Sequence, residues 1–424
     1  MPITILAHGS RGDIQPYVAL GIGLQQAGHT VRLAAPQLFE SFVTGYGLEF
    51  APLAGDPTQL MQRAVEQAGA GANLFRISRV ILEYALPLAA QVMTDARQAC
   101  QGADAIIHSL LMTTAGHEIA RQLDRPDFSA LVFAVFAPTA AFPNPSFPDL
   151  PLGSTYNRLT HVIFSQLFWQ GGRLAYSWIR RKDPALPRLS AWPFSAANKR
   201  PTPILYGFSP HVLPRPSDWG DDVHVTGYWF LEAAPRWQPP VELVEFLEAG
   251  PPPVYIGFGS VISREARELT EIVLAALAQT GQRGLLLTGW GGLARADWPE
   301  HVFQMDSVPF DWLFPRMRVI VHHGGMGTTA EALRAGIPSV VVPFTADQPF
   351  WGRRVYQLGV GPKPIPHKKL TVQNLTEAIH VALSDQTMQR RAEALGERLR
   401  SEDGVAQAVQ VIEGYLGTSL HAGR

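Results

Sequence analysis

The residues best suited to chemistry stand in HHGGMGTT, which begins at His322 directly after an apolar run. The following stretch, 326–335, has the composition of a helix. The glycines between them therefore lie at a helix start, where free N–H groups and the helix dipole favour an anion. Gly324 and Gly325 let the backbone approach a phosphate closely, and His323 could donate a hydrogen bond to a diphosphate oxygen. The stretch predicts a phosphate-binding loop.

Side chains downstream of this loop could bind a sugar attached to the phosphates. Thr328 adds a hydroxyl donor, and Glu331 lies about one helical turn beyond the glycines. Asp347 and Gln348 follow the next apolar run. There, a carboxylate and an amide could hold sugar hydroxyls, so the order of the residues predicts a site for a diphosphate and a sugar.

A dinucleotide site is the competing interpretation. Gly325 to Ala330 satisfies the pattern G-x-G-x-x-A, with Gly327 as its second glycine, and Asp347 follows at about the spacing of a ribose-binding acid. The histidine pair ahead of the glycines argues against it. So does the position of the unit in the second half of the chain, because nicotinamide proteins more often carry this pattern on a first strand.

A second glycine loop, HGSRGDIQP, begins at His8 and follows the first apolar run. It brings Ser10, Arg11 and Asp13 to the end of a predicted strand. In a protein of two domains this loop would face the phosphate site across a cleft, where a carboxylate is a poor phosphate ligand but a useful base. Asp13 could equally be a capping or first-turn acid on a helix that begins at Pro16. Spacing alone supports both interpretations.

The sequence offers no pattern typical of a metal site or a disulfide framework. It contains no D-x-D and no H-E-x-x-H, and Cys100 is its single cysteine, which we expect to be buried and structural. The charge of a leaving group would then be met by the helix dipole and side chains. Ser260, in GFGS, could reach a phosphate, and Trp290, in GWGGL, could lie near the cleft or in a packed surface turn.

Size and composition limit the class of protein. The chain has 424 residues, of which 46% are hydrophobic and 17% charged, and its formal net charge is −1. This length predicts two domains, and the balanced charge gives no electrostatic reason to expect nucleic-acid binding. The first residues lack the features of a signal peptide, and no apolar run reaches the roughly 20 residues that a membrane-spanning helix needs. We expect a cytoplasmic protein.

Apolar runs alternate with helical patterns in both halves of the chain, which predicts an α/β fold with parallel sheets covered on both faces. Ligands of such sheets bind at the carboxyl ends of the strands. The predicted organisation is an N-terminal Rossmann-like domain over 1–235, a linker over 236–250, a C-terminal Rossmann-like domain over 251–400, and a C-terminal helix over 401–424 that could cross back to the first domain.

The segment between Phe128 and Trp237 is dense in proline and aromatic residues. Within it, 156–182 is predicted to form an aromatic-rich helix that ends in a basic cluster. One interpretation is a core or pocket-wall helix with a solvated basic end. The other is a hydrophobic acceptor wall, or a face that rests on a membrane. The sequence leaves both open.

Together these motifs resemble the GT-B nucleotide-sugar glycosyltransferases of the family 1/28 type, and most closely the sterol 3-beta-glucosyltransferases. The resemblance covers most of the chain and includes GSRGDIQPYVAL, VYIGFGS, VPFDWLFP, HHGGMGTT and VPFTADQPFWGRRVYQLGVGPKPIP. It implies a GT-B fold, in which two Rossmann-like doubly wound domains face each other across a cleft. The first domain would bind the acceptor and the second the nucleotide-sugar.

The resemblance also implies roles for single residues. Asp13 matches the acid of the family's G-T-R-G-D loop, the catalytic base. The positions implied in donor binding are Ser10, Arg11, Gly12, Ser260, Val308, His323, Gly325, Gly327, Thr328, Glu331, Asp347 and Gln348. Some residues depart from the family's pattern: Ser10 replaces a threonine, Phe310 a histidine and Glu331 a small residue. Ser307 stands near the position where plant relatives stack a tryptophan on the base.

The function implied by the resemblance is that of an inverting, metal-independent UDP-glycosyltransferase. It would move a hexose, glucose from UDP-glucose, to a hydroxyl of a large apolar acceptor such as a sterol or sterol-like lipid, with no further cofactor. A peripheral membrane contact is compatible with this expectation. The alternatives are a natural-product glycosyltransferase acting on a polyketide or similar aglycone and, from another class, a non-catalytic lipid-binding relic of the fold. The joint presence of Asp13, His323 and the 347–348 pair argues against the relic.

Overall fold

The computed structural model describes residues 1–55, 86–182, 186–194, 202–234, 237–259, 266–288 and 298–422. The chain divides into two compact units. Unit 1 comprises Met1–Phe208, Arg215–Leu231 and Asp403–Arg424, and unit 2 comprises Ser209–Pro214 and Glu232–Glu402.

Strands and helices alternate through unit 1. Its elements before residue 208 are β1 (Pro2–Leu6), α1 (Arg11–Gln26), β2 (Thr30–Pro36), α2 (Glu40–Gly45), β3 (Glu49–Leu53), α3 (Leu86–Ala99), β4 (Ala105–His108), α4 (Thr113–Leu123), β5 (Asp127–Leu131), α5 (Gly153–Lys182) and β6 (Ile204–Tyr206). Strand β7 (Val223–Val225) completes its sheet.

Unit 2 repeats the alternation, and the chain then returns to unit 1. The elements of unit 2 are α6 (Val241–Glu248), β8 (Val254–Gly257), α7 (Ala266–Thr280), β9 (Gly284–Leu287), β10 (Val302–Met305), α8 (Phe310–Leu313), β11 (Val319–His322), α9 (Met326–Ala335), β12 (Ser339–Val341), α10 (Gln348–Gln357), α11 (Val372–Ser384) and α12 (Gln386–Ser401). The last helix, α13 (Gly404–Ala422), belongs to unit 1.

The sheet of unit 1 is parallel, with the order β3-β2-β1-β4-β5-β6-β7. Successive residues of β1 face opposite cores: Ile5 packs with Leu20 of α1 and Ile412 of α13, whereas Leu6 packs with Ile119 of α4. Both faces are covered, which is why the strands are continuous apolar runs. The strand order reverses between β1 and β4, so the loops that follow these two strands lie at a topological switch point, where such sheets bind ligands.

The sheet of unit 2 is also parallel, with the order β10-β9-β8-β11-β12. Ile256 of β8 packs with Val273 of α7 and Ile379 of α11, whereas Tyr255 packs on the other face with Leu313 of α8. The order reverses between β8 and β11. The glycine loop that begins after β11 therefore lies at the switch point of this second sheet.

Helix α1 begins earlier than the sequence predicted. The prediction that Pro16 opens the helix is wrong, because α1 begins at Arg11 and Pro16 lies inside it. Ser10 is the N-cap residue, and its N–H donates to Oδ2 of Asp13 at 2.8 Å across the first turn. This capping box starts the helix ahead of the proline. Pro16 then removes one intrahelical bond, the one that would reach the carbonyl of Gly12.

The segment predicted as a linker, 236–250, contains a helix. Helix α6 follows Pro240, and its Leu243 is fully buried beside Tyr255 and Leu285 in the core of unit 2. The proline-rich sequence before Val254 thus includes one amphipathic helix that packs against the second sheet.

Candidate active site

Asp13 lies in the first turn of α1, at the switch point of unit 1. Its Oδ2 accepts hydrogen bonds from the N–H of Ser10 at 2.8 Å and from the hydroxyl of Ser10 at 2.9 Å. Enclosure by the protein raises the pKa of the Asp13 carboxyl above its usual range, while the two bonds from Ser10 oppose the rise. Asp13 is thus a helix-capping acid, and its raised pKa also makes it a stronger base than an exposed aspartate.

His8 lies at the other end of the same loop. Its Nε2 donates to the carbonyl of Ala54 at 3.1 Å. Enclosure lowers the pKa of His8, so the ring is neutral at pH 7 and its Nδ1 is an unprotonated acceptor. Between His8 and Asp13 the backbone of Gly9 has φ of 138°, and a Cβ there would lie 2.5 Å from Oδ2 of Asp13. Only glycine fits at this position.

A cavity in unit 1 joins this loop to the loops that follow β4 and β5. Its lining residues are His8, Asp13, Tyr17, Ser109, Leu110, Leu111, Leu131, Val132, Phe133 and Val135. Most of them are apolar, and Asp13 is the carboxylate among them. The Asp13 carboxylate therefore faces mainly apolar neighbours in this cavity. Ser109 belongs to no motif in the sequence, and only the strand order brings it beside Asp13.

Aromatic rings from α5 pack beside the cavity. Phe136, the neighbour of the lining residue Val135, has its ring centroid 5.0 Å from that of Phe168 on α5. Its centroid is also 5.1 Å from that of Trp192 and 5.2 Å from that of Phe194. The edge-on contacts with Phe168 and Trp192 are favourable for aromatic pairs. The inward face of α5 is therefore part of an aromatic cluster, as one interpretation of its sequence predicted.

The opposite face of α5 carries exposed apolar side chains among polar ones. Leu159, Ile163, Leu167 and Leu174 recur at helical spacing and are 52%, 37%, 68% and 74% exposed. The charged residues of the helix are all basic: Arg158, Arg173, Arg180, Arg181 and Lys182. We call the four leucine and isoleucine residues the outer stripe of α5; Val162, beside them, is 46% exposed. An unpaired apolar stripe on a purely basic helix is typical of a surface that meets something other than water.

In unit 2, the loop between β11 and α9 has the conformation of an anion site. Gly325 is the N-cap of α9, and Gly324 has φ of 87°. The N–H of Gly324 donates to Nδ1 of His322 at 3.1 Å, which fixes the loop. The N–H of Thr329 reaches the carbonyl of Gly325 at 2.9 Å. The N–H groups of residues 326–328 belong to the first turn of α9. A helix start leaves such groups without an intrahelical acceptor, so they remain for a ligand.

His323 packs between two glycines. A Cβ at Gly259 would lie 2.9 Å from its Cε1, and a Cβ at Gly325 would lie 2.4 Å from its Nε2, so both positions must be glycine. Its Nδ1 is buried without a hydrogen bond to any residue in the described part of the chain. Burial lowers the pKa of His323 to about 4, and a hydrogen bond with the backbone of Gly257 opposes this shift. A neutral imidazole thus lies beside the start of α9.

Further along α9, Gly327 and Thr328 are partly exposed and Glu331 is buried. Burial raises the pKa of Glu331 to about 8; Arg334, whose Nη1 lies 3.9 Å from Oε2, opposes the rise, and the carboxylate of Asp311 adds to it. With this pKa, Glu331 is mostly protonated at neutral pH and can donate a hydrogen bond as well as accept one.

Asp347 and Gln348 begin helix α10 beside the glycine loop. Oε1 of Gln348 accepts two backbone N–H groups of the preceding loop at 2.8 and 3.1 Å, and Oδ2 of Asp347 accepts from Nε1 of Trp351 at 2.9 Å. A Cβ at Gly324 would lie 3.0 Å from the carbonyl oxygen of Gln348, so the two loops are in contact. Both side chains therefore help to build the loop after β12.

The sequence-predicted residues fall into three groups. Around the carboxyl ends of β11 and β12 lie His323, Gly325, Gly327, Thr328, Glu331, Asp347 and Gln348. At the carboxyl end of β1 lie Ser10, Arg11, Gly12 and Asp13, where Arg11 and Gly12 are exposed. Val308 follows β10 at the edge of the second sheet, and its side chain packs in the core beside Leu313. Ser260 and Trp290 lie outside the described residues.

The described residues bear on three other kinds of site: a metal centre, a membrane span and a reactive thiol. Within those ranges, no group of three or more His, Cys, Asp or Glu side chains is arranged to hold a metal ion. None of the helices in the same part of the chain combines the length and hydropathy needed to cross a membrane. Cys100 is buried and free, and burial raises the pKa of its thiol to about 12.

Two parts of the chain match known domain families. Residues 3–140 match the glycosyltransferase family 28 N-terminal domain. Residues 292–413 match the C-terminal domain of proteins like erythromycin biosynthesis protein CIII.

The chain is similar over nearly its whole length to sterol 3-beta-glucosyltransferases. It is 40% identical over 425 residues to one from Arabidopsis thaliana, covering 98% of this chain and 66% of that protein. A second from the same plant is 37% identical over 430 residues, covering 99% and 69%. One from Emericella nidulans is 38% identical over 425 residues, covering 97% and 30%. The chain thus spans about two thirds of the plant relatives and less than a third of this fungal one.

Solved glycosyltransferase structures share the fold. The calicheamicin glycosyltransferase superposes with a TM-score of 0.67 at 19% identity, covering 99% of this chain and 98% of that one. A glycosyltransferase of Streptomyces sp. SF2575 in complex with thymidine diphosphate gives a TM-score of 0.64 at 19% identity, covering 98% and 99%. These similarities confirm the predicted architecture of two parallel-sheet α/β domains.

Proposed function

Because this chain belongs to the GT-B glycosyltransferases, in the family of the sterol 3-beta-glucosyltransferases, we propose that it is an inverting UDP-glycosyltransferase. It transfers a hexose, glucose from UDP-glucose, to a hydroxyl of a large apolar acceptor, a sterol or a sterol-like lipid. The observation that carries the proposal is the largely apolar cavity that contains the Asp13 carboxylate. In the proposal, the hydroxyl end of an apolar acceptor enters this cavity and meets the acid.

In the proposed reaction Asp13 is the general base. Its carboxylate takes the proton of the acceptor hydroxyl while the oxygen attacks the anomeric carbon from the side opposite the diphosphate. The new carbon–oxygen bond forms as the bond to the diphosphate oxygen breaks, and the electron pair leaves with the nucleoside diphosphate. One in-line displacement turns an α-linked donor into a β-glycoside. The raised pKa of Asp13 suits this role, because a base is more effective when its pKa is nearer the working pH.

The charge of the leaving diphosphate is stabilised in unit 2 of the proposed enzyme. The free N–H groups at the start of α9, the hydroxyl of Thr328 and the imidazole of His323 act on the phosphate oxygens. Asp347 and Gln348 hold the sugar hydroxyls. Protonated Glu331 binds a hydroxyl of the ribose. These donors are already fixed by the loop bonds described above, so little reorganisation is needed as charge develops.

The test is a transfer assay with a panel of acceptors. The protein is incubated with UDP-glucose and sterols, glycerolipids, polyketide aglycones and small sugars, and the products are read by mass spectrometry. We expect the hexose on a sterol, in β-linkage, with UDP released. If transfer were fastest to a polyketide aglycone, the protein would be a natural-product glycosyltransferase. Transfer to no alcohol in the panel, with UDP still bound, would assign the non-catalytic relic.

We expect full transferase activity in EDTA. In the proposed mechanism a helix start and side chains meet the leaving-group charge, so chelating divalent ions removes nothing that the reaction uses. The measurement is the initial rate with and without EDTA, followed by readdition of Mg²⁺ or Mn²⁺. A strict need for either ion would contradict this account of the leaving group.

Contact with an anionic membrane surface is the second part of the proposal, and it is supported by α5. One face of this helix joins the aromatic cluster beside the cavity, and the outer stripe lies on the other face. All its charges are positive, which complements anionic headgroups. A water-insoluble acceptor is concentrated in a bilayer, so docking α5 there would bring the cavity close to its substrate.

A flotation experiment tests the outer stripe. We expect the protein to float with liposomes that contain phosphatidylglycerol, more than with phosphatidylcholine alone, and to lose this binding in the double variant Leu167→Glu/Leu174→Glu. The matched control is Val241→Glu, which removes a side chain that is 67% exposed on α6 of unit 2. Equal flotation of both variants would contradict the assignment. A change from dimer to monomer in the double variant would assign the stripe to a second copy of the chain.

A further inference from the structure

Ser109 is the first residue after β4, on the other side of the switch point from the loop that carries Asp13. It lines the same cavity as Asp13 and is only 4% exposed. Its Oγ has no hydrogen-bond partner among the residues that the structure describes. Buried polar side chains are usually paired. Among the buried serine hydroxyls that lack a partner in the described residues, that of Ser109 is the one that belongs to the lining of this cavity.

The backbone N–H and carbonyl of Ser109 are both hydrogen-bonded. Its N–H donates to the carbonyl of Leu6 at 2.9 Å, and its own carbonyl accepts from the N–H of Met112 at 3.0 Å and the hydroxyl of Thr113 at 3.2 Å. These bonds tie the residue to β1 and to the start of α4. The backbone is therefore fixed, and the hydroxyl is the one group of Ser109 that remains for a ligand.

The other polar side chains of the cavity cannot supply the same hydrogen bond. Ionised Asp13 only accepts. Nε2–H of His8 is used by the Ala54 carbonyl, which leaves an accepting Nδ1, and the hydroxyl of Tyr17 donates to the carbonyl of Ala130 at 2.7 Å. Within the cavity lining, the hydroxyl of Ser109 is thus the side-chain donor still available.

We propose that Ser109 binds the hydroxyl oxygen of the acceptor, a role that rests on the proposed function. The acceptor O–H donates to Asp13, one lone pair of its oxygen accepts from the Ser109 hydroxyl, and the other lone pair attacks the anomeric carbon. As the proton moves to Asp13, negative charge develops on this oxygen and strengthens the bond from Ser109. Two fixed groups then define where the reacting hydroxyl lies.

The test is the Ser109→Ala variant, assayed with the acceptor that the wild type uses best. Removing one fixed donor to a developing oxyanion costs on the order of 10² to 10³ in kcat in acyl transfer. Glycosyl transfer develops less charge on the attacking oxygen, so we expect kcat to fall by at least about tenfold here. UDP affinity should not change, because Ser109 lies outside the proposed donor site. The Tm should stay the same or rise, because an unpaired buried hydroxyl is removed.

Ser129→Ala is the matched control. Ser129, on β5, is also fully buried with an unpaired hydroxyl, but it does not line the cavity. We expect it to keep wild-type kcat. Wild-type kcat in Ser109→Ala, or an equal fall in both variants, would overturn the role of Ser109 and leave the proposed function intact. A wild-type protein that glycosylates no alcohol would instead remove the proposed function itself.

Discussion

The Asp13→Asn variant should turn over about 10² to 10⁴ times more slowly than the wild type, the usual contribution of a positioned general base. Asparagine keeps the size of the side chain but cannot take a proton from the acceptor hydroxyl. UDP affinity should stay near normal, because the proposed diphosphate contacts belong to unit 2. Initial rates of glucoside formation, together with calorimetric titration of UDP, measure both quantities.

The pH dependence of the wild type gives a second measure of the same role. The base must be ionised to act, so kcat/KM falls as the pH drops through the pKa of Asp13. Enclosure raises this pKa, so the acidic limb of the profile should lie above the roughly pH 4 of an ordinary aspartate. The residual activity of Asp13→Asn should lack this limb.

Asp385→Asn is the control for the capping role of Asp13. Asp385 caps α12 by accepting the N–H groups of Thr387 at 2.8 Å and Met388 at 3.0 Å, far along the chain from any proposed catalytic group. Asparagine caps nearly as well as aspartate, so this change should cost little. If Asp13→Asn behaved like Asp385→Asn and kept more than about a tenth of the wild-type turnover, His8 would become the better candidate for the base.

Local sequence patterns predicted the elements of unit 2 closely. The apolar run that leads into HHGGMGTT matches strand β11, which ends at His322, and the predicted helix 326–335 matches α9. Short apolar runs followed by glycine identify buried parallel strands, and a glycine pair before a helical stretch marks the helix start. The glycine conformation of this loop and the start of α9 follow from the same local signals.

The cavity of unit 1 could not be predicted in this way. Ser109 is far from Asp13 in sequence, and only the order of β1 and β4 in the sheet brings them together. The start of α1 also differs from the prediction, because Pro16 has the features of a first helical residue whereas the Ser10–Asp13 capping box begins the helix earlier. That box has aspartate where the usual pattern has glutamate or glutamine. Strand order depends on the assembled fold, which a local pattern does not contain.

His323→Ala should weaken the binding of UDP by roughly ten- to a hundredfold. A hydrogen bond to a charged group contributes about 1.5–3 kcal/mol, and each 1.4 kcal/mol is a tenfold change in affinity. Calorimetric titration with UDP gives the affinity, and His380→Ala, which removes an exposed histidine of α11, is the control. Unchanged affinity in His323→Ala would remove this residue from the diphosphate site.

The pH dependence of donor binding should then separate an electrostatic role of His323 from mere packing. Burial lowers its pKa to about 4 in the free protein, so the ring is neutral at pH 7. A bound diphosphate adds negative charge beside the imidazole and raises this pKa. Binding therefore takes up a proton, and the affinity for UDP-glucose should increase as the pH falls from 7 towards 5. Glu331, with its pKa raised to about 8, stays mostly protonated over this range.

The affinity for UDP-glucose is best measured in an Asp13→Asn background, where little donor is consumed. The increase in affinity at low pH should vanish when His323→Ala is added. If the increase in affinity persisted in the Asp13→Asn/His323→Ala variant, another group would take up the proton. His323 would then have only a packing role.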